Sequence, residues 1–148
     1  MKYETVRVTF SEVPNEISLT ILITGCSLAC EGCHSSHTWT DKGTELTNNH
    51  LVELILKYQS IISTVCFLGG EWEKERLVKL LKIVKSFNLK TCLYTGLNRV
   101  HPSILQQLDF IKTGRWITDL GGLNSKTTNQ KFIDLKNKKD ITFLFIKS

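Results

Sequence analysis

The sequence predicts an α/β protein on a mostly parallel sheet. Three observations carry that reading. Short β-branched apolar runs alternate with helical segments along most of the chain. The runs are closed by glycines, Gly69-Gly70 and Thr95-Gly96, where a strand ends and a turn begins. Between them lies a helix of clear 3.6-residue periodicity, with Leu77, Leu80, Leu81, Val84 and Phe87 on one face.

The elements follow in order. Thr5 to Phe10 places Val6, Val8 and Phe10 on one side and Thr5, Arg7 and Thr9 on the other, a period-two strand. Glu12 to Asn15 is a turn around Pro14. Ile17 to Thr24 is apolar and β-branched and reads as a buried strand. Thr47 caps a helix running to Tyr58, with Leu51, Leu54, Ile55 and Tyr58 on its apolar face. Ile61 to Leu68 is a further buried strand, Glu73 to Phe87 the clear helix, and Lys90 to Tyr94 the next strand. Pro102 suits the first turn of a short helix through Gln107. Phe110-Ile111 is a short strand, Gly121 to Gln130 a polar loop, and Ile141 to Ile146 a last strand.

The chain has 148 residues, of which 41% are hydrophobic and 22% charged, with a net charge of +5. These values suit one domain over 1–148 and exclude a mainly disordered chain. No apolar run approaches the roughly 20 residues of a membrane span. Met1 to Thr5 lacks the apolar segment of a secretory signal, so a cytoplasmic location is expected. The basic residues are scattered, and neither nucleic acid nor a membrane is an expected partner.

Five cysteines in a reducing compartment point to metal or redox chemistry rather than to disulfides. Cys66 and Cys92 stand alone inside apolar runs and read as core residues. Cys26, Cys30 and Cys33 form a C-x3-C-x2-C triplet directly after a predicted buried strand. Gly25 and Gly32 let that segment bend so that three thiols converge on one centre. A closed zinc site needs a fourth ligand, which His34 or His37 would supply. An iron–sulfur cubane on three thiolates leaves one iron open for a substrate. Spacing alone does not separate the two. In parallel sheets, ligands bind beyond the carboxyl ends of the strands. There the cysteine segment, Gly69-Gly70-Glu71 and Thr95-Gly96 collect.

A C-x3-C-x2-C segment after one core strand with Gly69-Gly70-Glu71 after the next resembles the radical S-adenosylmethionine superfamily. Ile23 to Ser35, Thr38-Trp39, Gly43, Leu68 to Glu71, Leu93 to Gly96, Lys112 to Arg115 and Thr127 to Gln130 together resemble the activating proteins of anaerobic ribonucleoside-triphosphate reductases. The resemblance covers about residues 17 to 130. It implies a partial (βα) barrel of the radical S-adenosylmethionine type, open on one side to admit a loop of a protein substrate. Cys26, Cys30 and Cys33 then ligate a 4Fe-4S cluster whose fourth iron takes S-adenosylmethionine. One electron cleaves the sulfonium, and the resulting 5′-deoxyadenosyl radical takes a hydrogen from a glycine of the reductase. The cofactors carry the hard chemistry, and no catalytic side chain is expected beyond them. An electron donor such as flavodoxin or ferredoxin is implied as a second partner.

By the same resemblance Gly69, Gly70 and Glu71 meet the methionine end of S-adenosylmethionine, and Gly32 and His34 lie near adenine. Thr95 and Lys112 reach the ribose or carboxylate. A lysine suits a carboxylate as a point charge. Trp39 and Asp109 are weaker matches, and Asn129 and Gln130 match without an evident mechanism. The stretch Glu12 to Glu16 departs from the Gly-Pro-Gly segment of longer relatives. Two other readings stand beside this one. One is an activase of another glycyl radical enzyme, or a small-molecule radical enzyme; the short chain favours a macromolecular substrate. The other is a zinc-stabilised interaction module.

Overall fold

The structure is a computed structural model and describes residues 1–26, 40 and 42–146. Its centre is an eight-stranded sheet. The strands are β1 (Lys2–Thr9), β2 (Ser18–Ile23), β3 (Thr44–Glu45), β4 (Thr64–Leu68), β5 (Lys90–Tyr94), β6 (Phe110–Thr113), β7 (Lys131–Asp134) and β8 (Lys139–Asp140). They are ordered β3-β1-β2-β4-β5-β6-β7-β8. Helices α1 (Asn48–Tyr58), α2 (Lys74–Ser86) and α3 (Pro102–Leu105) lie in the connections between β3 and β6.

The sheet is mixed, which corrects the expectation of a mostly parallel one. β2–β4, β4–β5 and β5–β6 are parallel. The four outer pairings, β1–β2, β1–β3, β6–β7 and β7–β8, are antiparallel. The connections explain the difference. A parallel pair needs a crossover of a dozen or more residues, usually helical. β1 and β2 are joined through the Pro14-Asn15 turn, where Asn15 takes φ 65°, and β7 and β8 through a turn with Lys138 at φ 55°. The connection 114–130 contains no helix, so β7 returns against β6.

Alternation along the strands sorts the core into two layers. Leu19, Ile21, Ile23, Val65, Phe67, Leu93 and Ile111 face one way and pack against Leu51, Ile55, Leu77, Leu80, Leu81, Val84 and Ile104 of the helices. The alternate positions Cys66, Cys92, Phe110 and Phe132 face the other way, with Val13 from the β1–β2 turn. Cys66 and Cys92 are register partners and fully buried, as core residues should be. Burial pushes the Cys92 thiol well above its usual value, which keeps it protonated. Phe132 sits centrally in this layer, its ring 5.9 Å from that of Phe110 and 5.0 Å from that of Phe145.

Local signals behave as their chemistry requires. The Thr47 hydroxyl accepts from His50 N at 3.1 Å and starts α1. Asn88 takes φ 59° just after the C-cap Phe87 and ends α2. α3 stops at Leu105, two residues earlier than expected. Ile141 to Ile146 is not a strand; Thr142–Phe145 forms a 3-10 helix. The cause is the Asp140 carboxylate, which accepts from both the amide and the hydroxyl of Thr142 (3.0 and 2.5 Å). The same hydroxyl oxygen accepts from Phe132 N at 2.8 Å, so the chain turns back over β7. Among the described residues no helix is long and apolar enough to cross a membrane.

Candidate functional site

The parallel registers align the ends of the four central strands. Leu22 pairs with Leu68, Leu68 with Tyr94, and Tyr94 with Lys112. These four side chains line a cavity of about 190 Å³ at the carboxyl ends of β2, β4, β5 and β6. Its remaining walls come from the turns that follow the strands, with Cys26 after β2, Gly69, Glu71 and Trp72 after β4, and Thr95 after β5. The volume is below the roughly 300–1,000 Å³ usual for small-molecule pockets, so the described residues enclose less than a full pocket of that kind.

The turns are tied to one another across the strands. Gly69 N donates to Tyr94 O (3.0 Å), and Thr95 N to Lys112 O (2.9 Å). The Thr95 hydroxyl donates to Glu71 Oε1 at 2.7 Å and accepts from Leu97 N at 3.0 Å. Lys112 Nζ donates to the carbonyls of Thr95 (3.3 Å) and Gly114 (2.9 Å). Tyr94 donates its phenolic proton to Glu12 O. Burial pushes that phenol far above its usual value and keeps it a donor.

Glu71 is the unusual group. Burial raises its pKa above the ordinary carboxylate value; the Thr95 hydroxyl and the Lys112 ammonium oppose that shift without cancelling it. Its Oε2 is buried and has no hydrogen-bond partner among the described residues. Such an atom is costly unless a ligand supplies a donor. Gly69 and Gly70 take φ 97° and 109°. A Cβ on Gly69 would lie 2.7 Å from Trp72 Cη2, and one on Gly70 would lie 3.1 Å from Met1 Cε. At these φ values a Cβ at either position would be strained and would push on its neighbour, so the turn calls for glycine.

Of the residues predicted from sequence, Cys26, Gly69, Glu71, Thr95 and Lys112 border this one cavity. Gly70 sits behind the turn against Met1 and Ile23. Cys30, Gly32, Cys33 and His34, with His37 and Trp39, lie outside the described residues. Asp109 is at the opposite end of β6, where its carboxylate accepts from Thr91 N at 2.9 Å, which is a structural role. Sequence reasoning missed Trp72, Tyr94, Leu22 and Leu68. Strand alternation gives a clue to the last three, since each lies at or one residue from a strand end. Among the described residues no three His, Cys, Asp or Glu side chains cluster as a metal site. Cys26 is the one described member of the triplet.

Cys26, the first thiol of the C-x3-C-x2-C segment, thus borders this cavity. Residues 16–139 match the 4Fe-4S single cluster domain family, and the chain belongs to it. More particularly, it is similar to the pyruvate formate-lyase-activating enzyme of Clostridium pasteurianum, with 31% identity over 87 residues. That match covers 54% of this chain and 37% of the relative, so the chain spans little more than a third of that protein's length. Membership of a 4Fe-4S family favours the iron–sulfur reading of the cysteines over the zinc one.

Proposed function

We propose that this protein is a radical S-adenosylmethionine activase that generates a glycyl radical on an anaerobic ribonucleoside-triphosphate reductase. The observation that carries the reading is the meeting of Cys26, the Gly69–Glu71 turn and Lys112 around one cavity with an orphaned carboxylate oxygen. Cys26, Cys30 and Cys33 hold the 4Fe-4S cluster, and S-adenosylmethionine binds beside it. Together these groups supply one-electron cleavage of a carbon–sulfur bond and, through it, hydrogen abstraction from the partner's glycine.

The chain's own residues bind and shield. Glu71 Oε2 is placed to accept from an ammonium group, as the amino-acid end of S-adenosylmethionine requires. Lys112 puts a positive charge on the opposite wall for the carboxylate. Thr95 fixes the Glu71 carboxylate through its hydroxyl. The family resemblance assigns Gly32 and His34 to the adenine end. Leu22, Leu68 and Tyr94 give the cavity an apolar wall. The reading implies a partial barrel with an open side for the partner's glycine loop, which must come within contact distance of the reacting carbon. Flavodoxin or ferredoxin delivers the electron, and the location is the cytoplasm.

The likeness to a pyruvate formate-lyase-activating enzyme favours one second reading, activation of a different glycyl radical enzyme. Anaerobic purification tests the shared part. The expected protein is brown with about four irons per chain, loses them on Cys30→Ala and holds no stoichiometric zinc. A colourless zinc protein would end both readings. Incubation with S-adenosylmethionine, a reductant and either the reductase or pyruvate formate-lyase then separates them. A glycyl radical signal by electron paramagnetic resonance on the reductase supports the first reading, and one on the lyase alone supports the second.

A further inference from the structure

The block Thr127-Thr128-Asn129-Gln130 has no part in the site described above, yet its four side chains all act on one stretch of backbone. Thr127 Oγ1 donates to Leu120 O (3.0 Å) and Thr128 Oγ1 to Gly121 O (3.1 Å). Asn129 Nδ2 donates to Arg115 O (3.1 Å) and Gln130 Nε2 to Gly114 O (3.4 Å). The two halves of the connection 114–130 are thus zipped side chain to carbonyl. At Gly114 they touch. Its φ is 98°, and a Cβ there would lie 3.1 Å from Gln130 Cα and 3.2 Å from Asn129 O.

The Gly114 carbonyl is also the nearer partner of Lys112 Nζ, at 2.9 Å. One carbonyl oxygen, with its two lone pairs, therefore accepts from Gln130 and from the lysine at the cavity wall. Lysine carries its charge on a flexible four-carbon stem, so its ammonium stays at one place only where acceptors hold it. The Thr95 carbonyl belongs to the site itself. The Gly114 carbonyl is set from outside, by the polar side chains of the returning half of the loop.

We propose that Asn129 and Gln130 are positioning residues for Lys112: by fixing the Arg115 and Gly114 carbonyls, they hold the lysine ammonium where it receives the carboxylate of an amino-acid ligand. The ligand's identity rests on the function proposed above; the positioning itself does not. Thr127 closes the far turn of the loop and takes no part in it.

The test uses the cluster-loaded protein under anaerobic conditions. Gln130→Met keeps the side-chain volume and removes the donor. Trace acetylation of Lys112 in the ligand-free protein should rise about threefold to tenfold, the scale of one lost hydrogen bond. The dissociation constant for S-adenosylmethionine should rise by a similar factor, with kcat for its cleavage unchanged at saturation. The double variant Gln130→Met/Lys112→Met should bind no more weakly than Lys112→Met alone. Thr127→Ala should change none of these. Asn129→Ala, at a less buried position, should shift them in the same direction as Gln130→Met. Unchanged Lys112 labelling in both Gln130→Met and Asn129→Ala, or additive losses in the double variant, overturns the proposal. If the parent protein binds no S-adenosylmethionine, the proposed function falls, and the labelling still decides the positioning.

Discussion

Replacing Gly69 with alanine sets a methyl group 2.7 Å from Trp72 Cη2 on a backbone at φ 97°. Two costs are separable. Holding an L-residue in a sparsely populated backbone region costs about 1–3 kcal/mol. Forcing a packed ring aside costs about 1–3 kcal/mol more. The sum is about 2–6 kcal/mol, and a value in its lower half, about 3 kcal/mol, is already a large part of the ~5–15 kcal/mol that holds a domain together. With a urea slope of about 2 kcal/mol per molar, the unfolding midpoint should fall by about 1.5 M. The melting temperature should fall by roughly 6–12 °C. Tryptophan fluorescence follows both, because the displaced ring is itself the reporter. Gly69→Ala/Trp72→Leu resolves the two costs. Removing the ring relieves the steric part and leaves the backbone part, so the double variant should lose less than the sum of the singles. A loss below about 0.5 kcal/mol in Gly69→Ala, or strict additivity with Trp72→Leu, would refute the account of this turn.

Two further outcomes follow from the same geometry. Burial raises the Glu71 pKa above its unfolded value, so between the two values the folded chain binds more protons than the unfolded one, and stability falls as pH rises. Glu71→Gln removes that dependence; without ligand, its melting-temperature advantage over the parent should grow as pH rises above the ordinary carboxylate value, and a pH-independent difference contradicts the assignment. Cys66→Ala and Cys92→Ala should each lower stability by roughly 1–3 kcal/mol and leave the iron content per chain unchanged, since both thiols lie fully buried in a core layer. Loss of iron in either variant would place that thiol at the cluster.

The central strands and long helices were legible because burial on both sides writes itself into composition. Ile17 to Thr24, Ile61 to Leu68 and Lys90 to Tyr94 each contain the observed strand, with boundaries displaced by no more than three residues. α1 and α2 were legible from the 3.6 period, and the Thr47 cap from the chemistry of its hydroxyl. The edges were not. β3 and β8 are two residues long and carry no periodicity. Ile141 to Ile146 has the composition of a strand, but an Asp140–Thr142 contact winds it into a 3-10 helix. An apolar run this short cannot reveal its own period. The same limit hid β7, whose pairing depends on how the connection 114–130 returns rather than on Lys131 to Asp134 themselves.

By itself the sequence determined the α/β class, the division of five cysteines into a triplet and two core residues, and the collection of Cys26, Gly69, Thr95 and Lys112 at strand ends. These are properties of spacing and of which residues can be buried, and both are local. Only the tertiary structure decided that the sheet is parallel at its centre and antiparallel at both sides, because strand direction depends on the path of each connection. It alone left Glu71 Oε2 buried with no partner among the described residues. It alone joined Gln130 to Lys112 through a single carbonyl. Those contacts link residues far apart in the chain, and no local pattern encodes which of many polar side chains will meet.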